Sequence, residues 1–219
     1  MDLEDRHSEA QDPELISDPH EKARQEARNG LRQFDDAIEQ IEYWLQPERP
    51  FKLRPSAIMR LNRFALERIS RYAGVFRPSE IAIGGSKHSP PPPHRVPELV
   101  EELCDYVNAN WNRSPIHLAS YILWKLNWIH AFMDGNGRTS RVTSFVVLSV
   151  RLGYRVPGSP TIPEQISRDK QPYYRALELA DFAFEKESKI DVSAMEGLVG
   201  SLLANQLASV IRDARADRP

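Results

Sequence analysis

The stretch that most constrains this chain is His130-Ala131-Phe132-Met133-Asp134-Gly135-Asn136-Gly137-Arg138-Thr139-Ser140-Arg141, together with the apolar segments on either side. Before it, Ser114-Pro115 opens a run in which Ile116, Ala119, Leu123, Leu126 and Ile129 recur at helical spacing, with Ser as N-cap and Pro at the first helical position. After it, Val142, Phe145, Val146, Leu148 and Leu152 keep the same period up to Gly153, a residue suited to the left-handed position past a helix end. Two buried helices therefore meet at a tight corner.

The composition of that corner suits an anion. Gly135 and Gly137 let the backbone turn and remove Cβ atoms that would hold a phosphate away. The second helix begins at about Asn136 to Arg138 with unpaired N–H groups and a positive dipole end. Arg138 and Arg141 share a face of its first turn and can grip neighbouring phosphates through charge-assisted forks. Asp134 offers a hard oxygen to a Mg²⁺ that also binds phosphate, and His130 offers a base that titrates near neutral pH.

Taken singly, each piece has a plainer use: a histidine can cap a helix and Gly-Asn-Gly can be an ordinary turn. A turn alone needs neither two arginines on one face nor a carboxylate and an imidazole beside them. The stretch is not a Walker loop, for no Gly-Lys-Ser/Thr follows the glycines, and no dinucleotide fingerprint is completed at Ser140.

The stretch resembles the signature of the Fic family, H-P-F-x-[D/E]-G-N-G-R-x-x-R, matching everywhere except Ala131, where proline is usual. The resemblance implies an all-α fold, a helical bundle with a short β-hairpin flap. It also implies an enzyme, a protein adenylyltransferase that moves AMP from ATP to a Ser, Thr or Tyr hydroxyl of a target protein. Carried over by position, His130 resembles the base, Phe132 the core anchor and Asp134 the Mg²⁺ ligand. Gly135, Asn136 and Gly137 resemble the anion nest, and Arg138 and Arg141 the phosphate clamps. Ala131 gives up the fixed backbone angle of proline but no functional group. Tyr173 and Tyr174 stand where a Tyr-rich segment of the family helps enclose adenine, one of the two serving the core instead. Two other readings stay open: a related transfer with another nucleotide or group, or removal of AMP; and a non-enzymatic adaptor that uses the proline-rich stretch.

Outside the motif, 219 residues with 41% hydrophobic and 27% charged content describe one good core and at most a small appendage. A formal net charge of -2 gives no basic footprint for nucleic acid. Cys104 is the single cysteine, which excludes an intrachain disulfide, and it sits among core positions. No signal peptide and no apolar run long enough to span a bilayer are read, so a cytoplasmic location without membrane contact is expected, delivery into a host cell being left open.

In chain order, residues 1–19 read as a disordered acidic arm and residues 20–219 as one domain. Helices are expected over His20 to Gln46, with Ala27, Leu31, Phe34, Ile38, Ile41 and Leu45 inward, and from Pro55 past Ile69 and Tyr72 to near Gly74. Residues 75–96 read as a strand at Ile81 and Ile83, a Gly84-Gly85 turn and an extended segment from Pro90 to Pro93. The resemblance makes this the flap, where a target protein docks as an added strand at about Ile81 to His88. Further helices are expected over Pro97 to Trp111, from about Thr161, and from Asp191 as N-cap; the last closes the bundle or forms a homodimer seam. Trp124 and Trp128 read as core or pocket walls, and His117 as exposed or structurally hydrogen-bonded. Many Fic proteins restrain their second motif arginine, here Arg141, with a glutamate in the pattern [S/T]-x-x-x-E-[G/N]. No stretch matches it fully, and Glu26 and Glu196 are the nearest candidates.

Overall fold

Asp18 starts the first helix by accepting a hydrogen bond from Glu21 N at 2.7 Å, with proline at the first helical position. In the computed structural model, which describes residues 7–9 and 15–216, this helix, α1, runs Pro19–Trp44. Its inward face differs from the apolar stripe expected. Leu31 is exposed, whereas Asn29, Gln33 and Asp36 are buried with Ala37 and Ile41. The reason lies in the next helix, α2 (Pro55–Leu66), whose last carbonyls have no helical partner. Asn29 Nδ2 donates to the partnerless Ala65 O and to Glu67 O just past the helix, and Gln33 Nε2 adds a bond to Leu61 O one turn earlier.

The expected continuation of α2 to Gly74 does not occur. Arg68 takes a left-handed conformation at φ 65°, and the chain turns back until Gly74 N donates to Asn62 Oδ1 at 2.9 Å. Gly74 has φ +75°, and a Cβ there would lie 2.7 Å from Arg63 Cβ, so this return needs glycine. After it come strand β2 (Ala82–Gly84), a 3-10 turn at Pro93–Arg95, and α3 (Val96–Ala109). The flap segment supplies one strand. The antiparallel partner of β2 is β1 (His7–Glu9), which pairs Ser8 with Ile83. The expectation of a disordered arm is thus corrected at residues 7–9, where backbone pairing supplies the order that apolar burial could not; residues 1–6 and 10–14 lie outside the described residues.

The centre of the molecule is α4 (Pro115–Ile129) against α5 (Asn136–Leu152). Ser114 caps α4 by accepting from His117 N, and Gly153 at φ 85° ends α5. Every residue of α4 from Leu118 to Leu126 is buried, so neither helix has a broad polar face. Helices α1 and α2 cover α5, while α3 covers α4. Past the corner pair, Thr161 forms a capping box with Glu164 and starts α6 (Ile162–Arg168), which breaks at Asp169 before α7 (Gln171–Glu187).

Helix α8 (Ser193–Ala216) corrects another expectation. Its stretch Ser193–Arg212 is long and apolar enough, by length and composition, to cross a membrane. Here it packs on α4, α6 and α7 through Met195 and Val199. Its buried Gln206 accepts from Ile162 N and donates to Val156 O.

Candidate active site

His130 is the C-cap just past α4, in a left-handed conformation at φ 50° and ψ 58° that turns the chain out of the helix. Its ring is 7% exposed. Nδ1 faces Asn127 O at 3.4 Å, which makes it the protonated nitrogen and leaves Nε2 as an acceptor. Nε2 lies 3.0 Å from Ser8 Oγ. Burial lowers the imidazole pKa to about 4, with the Asn127 carbonyl and Asp134 opposing and the Arg77 and His88 charges assisting, so the ring is neutral near pH 7.

The loop after His130 is held by side chains from outside it. Arg77, 2% exposed, donates Nε to His130 O at 2.8 Å, and its own N–H donates to Ala131 O at 2.9 Å. Its other nitrogens reach Ser79 O and Pro91 O. These bonds offset the absence of proline at 131 by fixing the backbone from without. Burial holds the Arg77 pKa below the usual guanidinium value, against the pull of Glu80. Asn62 of α2, fully buried, donates to Asp134 O at 3.1 Å and to Thr139 Oγ1 at 3.2 Å. Asn136 bridges the loop on itself, accepting from Phe132 N and donating to Phe132 O. Its side chain is therefore a brace, and only its backbone is left to face an anion. Phe132 is 1% exposed and packs on Phe76, as a core anchor would.

Gly135 sits at φ 75°, with Asn62 and Leu66 where a Cβ would project. At Gly137 a Cβ would lie 3.1 Å from Arg141 Nη1, the mobile end of a long side chain, so the glycine lets the guanidinium lie close without being required by the backbone. The guanidinium of Arg141 thus lies over the first turn of α5. Asp134 accepts from Gly135 N at 2.5 Å and pairs with Arg138 at 3.2 Å, its side chain half-exposed.

These groups line one cavity of about 580 Å³, a size that suits a nucleotide. His130, Asp134, Gly135, Asn136, Gly137, Arg138 and Arg141 line it together with Trp128, Tyr173, Tyr174, Leu177 and Asp181 of α4 and α7. Every candidate from the motif is brought together, and both tyrosines join them. The Tyr173 hydroxyl accepts from Asn127 Nδ2 at 2.7 Å, tying the cavity wall to the residue under His130. Of the two tryptophans, Trp128 faces the cavity, and Trp124 is core, donating its indole N–H to Asp181 at 2.9 Å. His117 bonds Tyr106, Arg113 and Glu196.

Of the two candidate restraining glutamates, Glu26 on α1 lines the cavity with its carboxylate 3.8 Å from Arg138. Glu196 does not line it and pairs with His117 at 2.6 Å. The residues that sequence reasoning missed are Asn62, Arg77 and Asn127. Asn62 and Asn127 carried a signal, an amide set among the apolar residues of α2 and α4, whereas Arg77 lies in irregular chain with none. Among the described residues no group of three or more His, Cys, Asp or Glu side chains could hold a metal alone. A single half-exposed carboxylate beside a phosphate-sized cradle fits Mg²⁺, which commonly takes one or two carboxylates and completes its shell with water and substrate phosphate.

Residues 52–148 match the model of the Fic/DOC family. Relatives named protein adenylyltransferase Fic from Drosophila willistoni and Drosophila virilis are each 35% identical over 127 residues, which is 57% of this chain and 24% of theirs. The chain spans about a quarter of the length of these relatives. Among solved structures, C. elegans Fic-1 aligns with a TM-score of 0.69 at 20% identity, over 93% of this chain and 55% of that one. A Fic domain containing signaling protein from Bacteroides thetaiotaomicron gives 0.68 at 22%, over 87% and 74%. The glycine-bent cradle and the corner that holds it fall within the stretch, 52–148, over which the chain is similar to the Fic/DOC family.

Proposed function

We propose that this protein is a protein adenylyltransferase that moves AMP from ATP to a hydroxyl of a polypeptide. The observation that carries the reading is a neutral, acceptor-ready imidazole in the same cavity as a helix N-terminus flanked by Arg138 and Arg141. In this reading the N–H groups of Asn136 and Gly137 and the two guanidinium groups bind the ATP phosphates, the Gly135 N–H being held by Asp134. Asp134 would hold a Mg²⁺ against them, and that ion, when bound, neutralises phosphate charge. Tyr174 is the better placed of the two tyrosines to meet the adenine, whereas Tyr173, 1% exposed and with its hydroxyl engaged by Asn127, serves the core behind it. A target strand pairs at the flap, about Ile81 to His88, and its hydroxyl gives its proton to His130 Nε2 while attacking the α-phosphorus. Pyrophosphate leaves.

Glu26 competes with the phosphates for Arg138, restraining the site until ATP displaces it. The cytoplasm, where ATP and Mg²⁺ are abundant, is the proposed place of action.

The test is incubation of the purified protein with labelled ATP, Mg²⁺ and cell extract, followed by mass spectrometry of labelled proteins. AMP on Ser, Thr or Tyr side chains is the expected result. Absence of transferred AMP, with ATP neither bound nor consumed at millimolar concentration, would remove the enzyme reading and favour an adaptor.

A further inference from the structure

The cavity already contains a hydroxyl. Strand β1 lies antiparallel on the flap strand β2 with Ser8 opposite Ile83, and directly opposed residues of such a pair project to the same face. Ile83 is buried and lines the cavity, and Ser8 lines it too, half-buried. Ser8 Oγ stands 3.0 Å from His130 Nε2, the ring nitrogen left as acceptor by the contact of Nδ1 with Asn127 O. The arm therefore sits where an incoming strand would sit, and it carries a nucleophile-bearing residue in the one register that meets the imidazole. Shifting the pairing by one residue would turn Ser8 to the opposite face.

We propose that the chain is its own acceptor, and that Ser8 is adenylylated in cis. This rests on the transferase reading above. The Ser8 hydroxyl gives its proton to His130 Nε2, and a bond forms between Oγ and the α-phosphorus of ATP. The bond from that phosphorus to the α,β-bridging oxygen breaks, and pyrophosphate leaves with the electron pair. The product is a phosphodiester linking AMP to Ser8. Because the acceptor is tethered to the enzyme, the reaction runs at a fixed effective concentration set by the strand pairing. The arm also occupies the β2 edge that an external target needs, so self-modification and target modification exclude each other on one molecule.

The experiment uses the full chain with Mg-ATP, alone and in a parallel arm with cell extract, peptide mass spectrometry as the readout, and His130→Ala, Ser8→Ala and Ser8→Thr variants. The expected result is one AMP on the peptide containing Ser8, absent from His130→Ala, lost from that peptide in Ser8→Ala and retained in Ser8→Thr. The fractional rate should stay unchanged across an about tenfold dilution of protein, as an intramolecular step requires. A rate that falls in proportion to dilution overturns the cis assignment. AMP on other residues with Ser8 unmodified, or labelling of added cell-extract proteins with none on the chain, overturns the Ser8 assignment and leaves the transferase reading standing. No AMP on the chain or on any extract protein overturns both.

Discussion

The corner at 130–141 and the strand pair at the flap are neighbours built on opposite plans. At the corner, buried side chains from elsewhere hold the bent backbone: Arg77 takes His130 O, Asn62 takes Asp134 O, and Asn136 closes the loop on Phe132. At the flap, three residues of β2 meet three of β1, and a turn from Ser86 N to Ile83 O ends the pairing. The first arrangement fixes imidazole, cradle and guanidinium groups before any ligand arrives, which is where reaction geometry tolerates least error. The second offers main-chain hydrogen bonds that any extended peptide can imitate. Under the transferase reading, the chemistry is written into the fold and the choice of acceptor is left to a replaceable strand.

The strongest way to break this comparison is His130→Ala. Loss of a positioned base should lower transfer by about 10²–10⁴-fold. Stability should fall by only ~1 kcal/mol, because the left-handed backbone at φ 50° is held by a residue with a Cβ in either case and the change removes only the ring's packing in a site that already lines a cavity. Labelled-ATP transfer and a urea titration of the same sample measure the two effects. Full transfer by this variant would take the imidazole out of the mechanism and leave the rigidity of the corner without a purpose.

Arg77→Met tests the bracing itself. It strips the donors from His130 O, Ser79 O and Pro91 O, and charge-assisted bonds of this kind contribute about 1.5–3 kcal/mol each. Relief of burying a cation offsets part of that. A net loss of about 3 kcal/mol is expected, seen as a lower urea midpoint at unchanged slope. Arg95→Met, at an exposed residue whose partner is Glu98, is the control and should cost under ~1 kcal/mol. Equal midpoints for the two would mean that the loop needs no external brace.

What could be read from the sequence divides along the same line. The corner was legible because its residues are consecutive and their types are unusual together, and because α4 and α5 carry unbroken apolar periods with Ser114 and Gly153 as punctuation. The braces were legible only in part: the amide of Asn62 among the apolar residues of α2 marks a buried polar position but not its partner 72 residues away, and Arg77, acting across 53 residues from irregular chain, leaves no local pattern. The early end of α2 was hidden for the same reason, as Ile69 and Tyr72 continue its apolar stripe while Arg68 turns the backbone away. The buried face of α1 was misjudged because Asn29 and Gln33 are spent on carbonyls of α2, a demand visible only once the two helices lie together. The β1 pairing could not be foreseen from an acidic arm, because backbone pairing depends little on side-chain type.

The pH dependence sharpens the comparison further. The folded pKa of His130 is lowered to about 4 from an ordinary 6.5, chiefly by burial, with Arg77 and His88 adding to the shift and Asn127 O and Asp134 opposing it. Protons then bind the unfolded chain in preference as pH falls below 6.5. The stability associated with the neutral ring is complete above that value and is lost as pH falls to about 4, a loss of roughly 3 kcal/mol. Urea midpoints of the wild type and His130→Ala, compared from pH 7 to 4, should differ most at pH 7 in favour of the wild type and converge or cross in acid. A constant difference would mean that the ring titrates normally. Transfer should keep its neutral base well below pH 6.5.

Removing residues 1–14 should have the smallest effect on stability and the clearest on the imidazole. Strand β1 pairs with β2 and reaches the corner through Ser8, so its loss should change the unfolding free energy by under ~1 kcal/mol, the range of a short exposed strand pair. The braces at Asn62, Arg77 and Asn136 stay in place. The cover over His130 does not, and with less burial the ring pKa should rise from about 4 toward 6.5, because desolvation is the largest cause of the shift. NMR titration of the ring protons reads this directly. A shift upward at nearly constant stability means that the arm shapes the environment of the base without supporting the fold, as a replaceable strand must. If the truncation instead costs as much as Arg77→Met, β1 belongs to the core, the flap is no more replaceable than the corner, and an external strand has no edge to take.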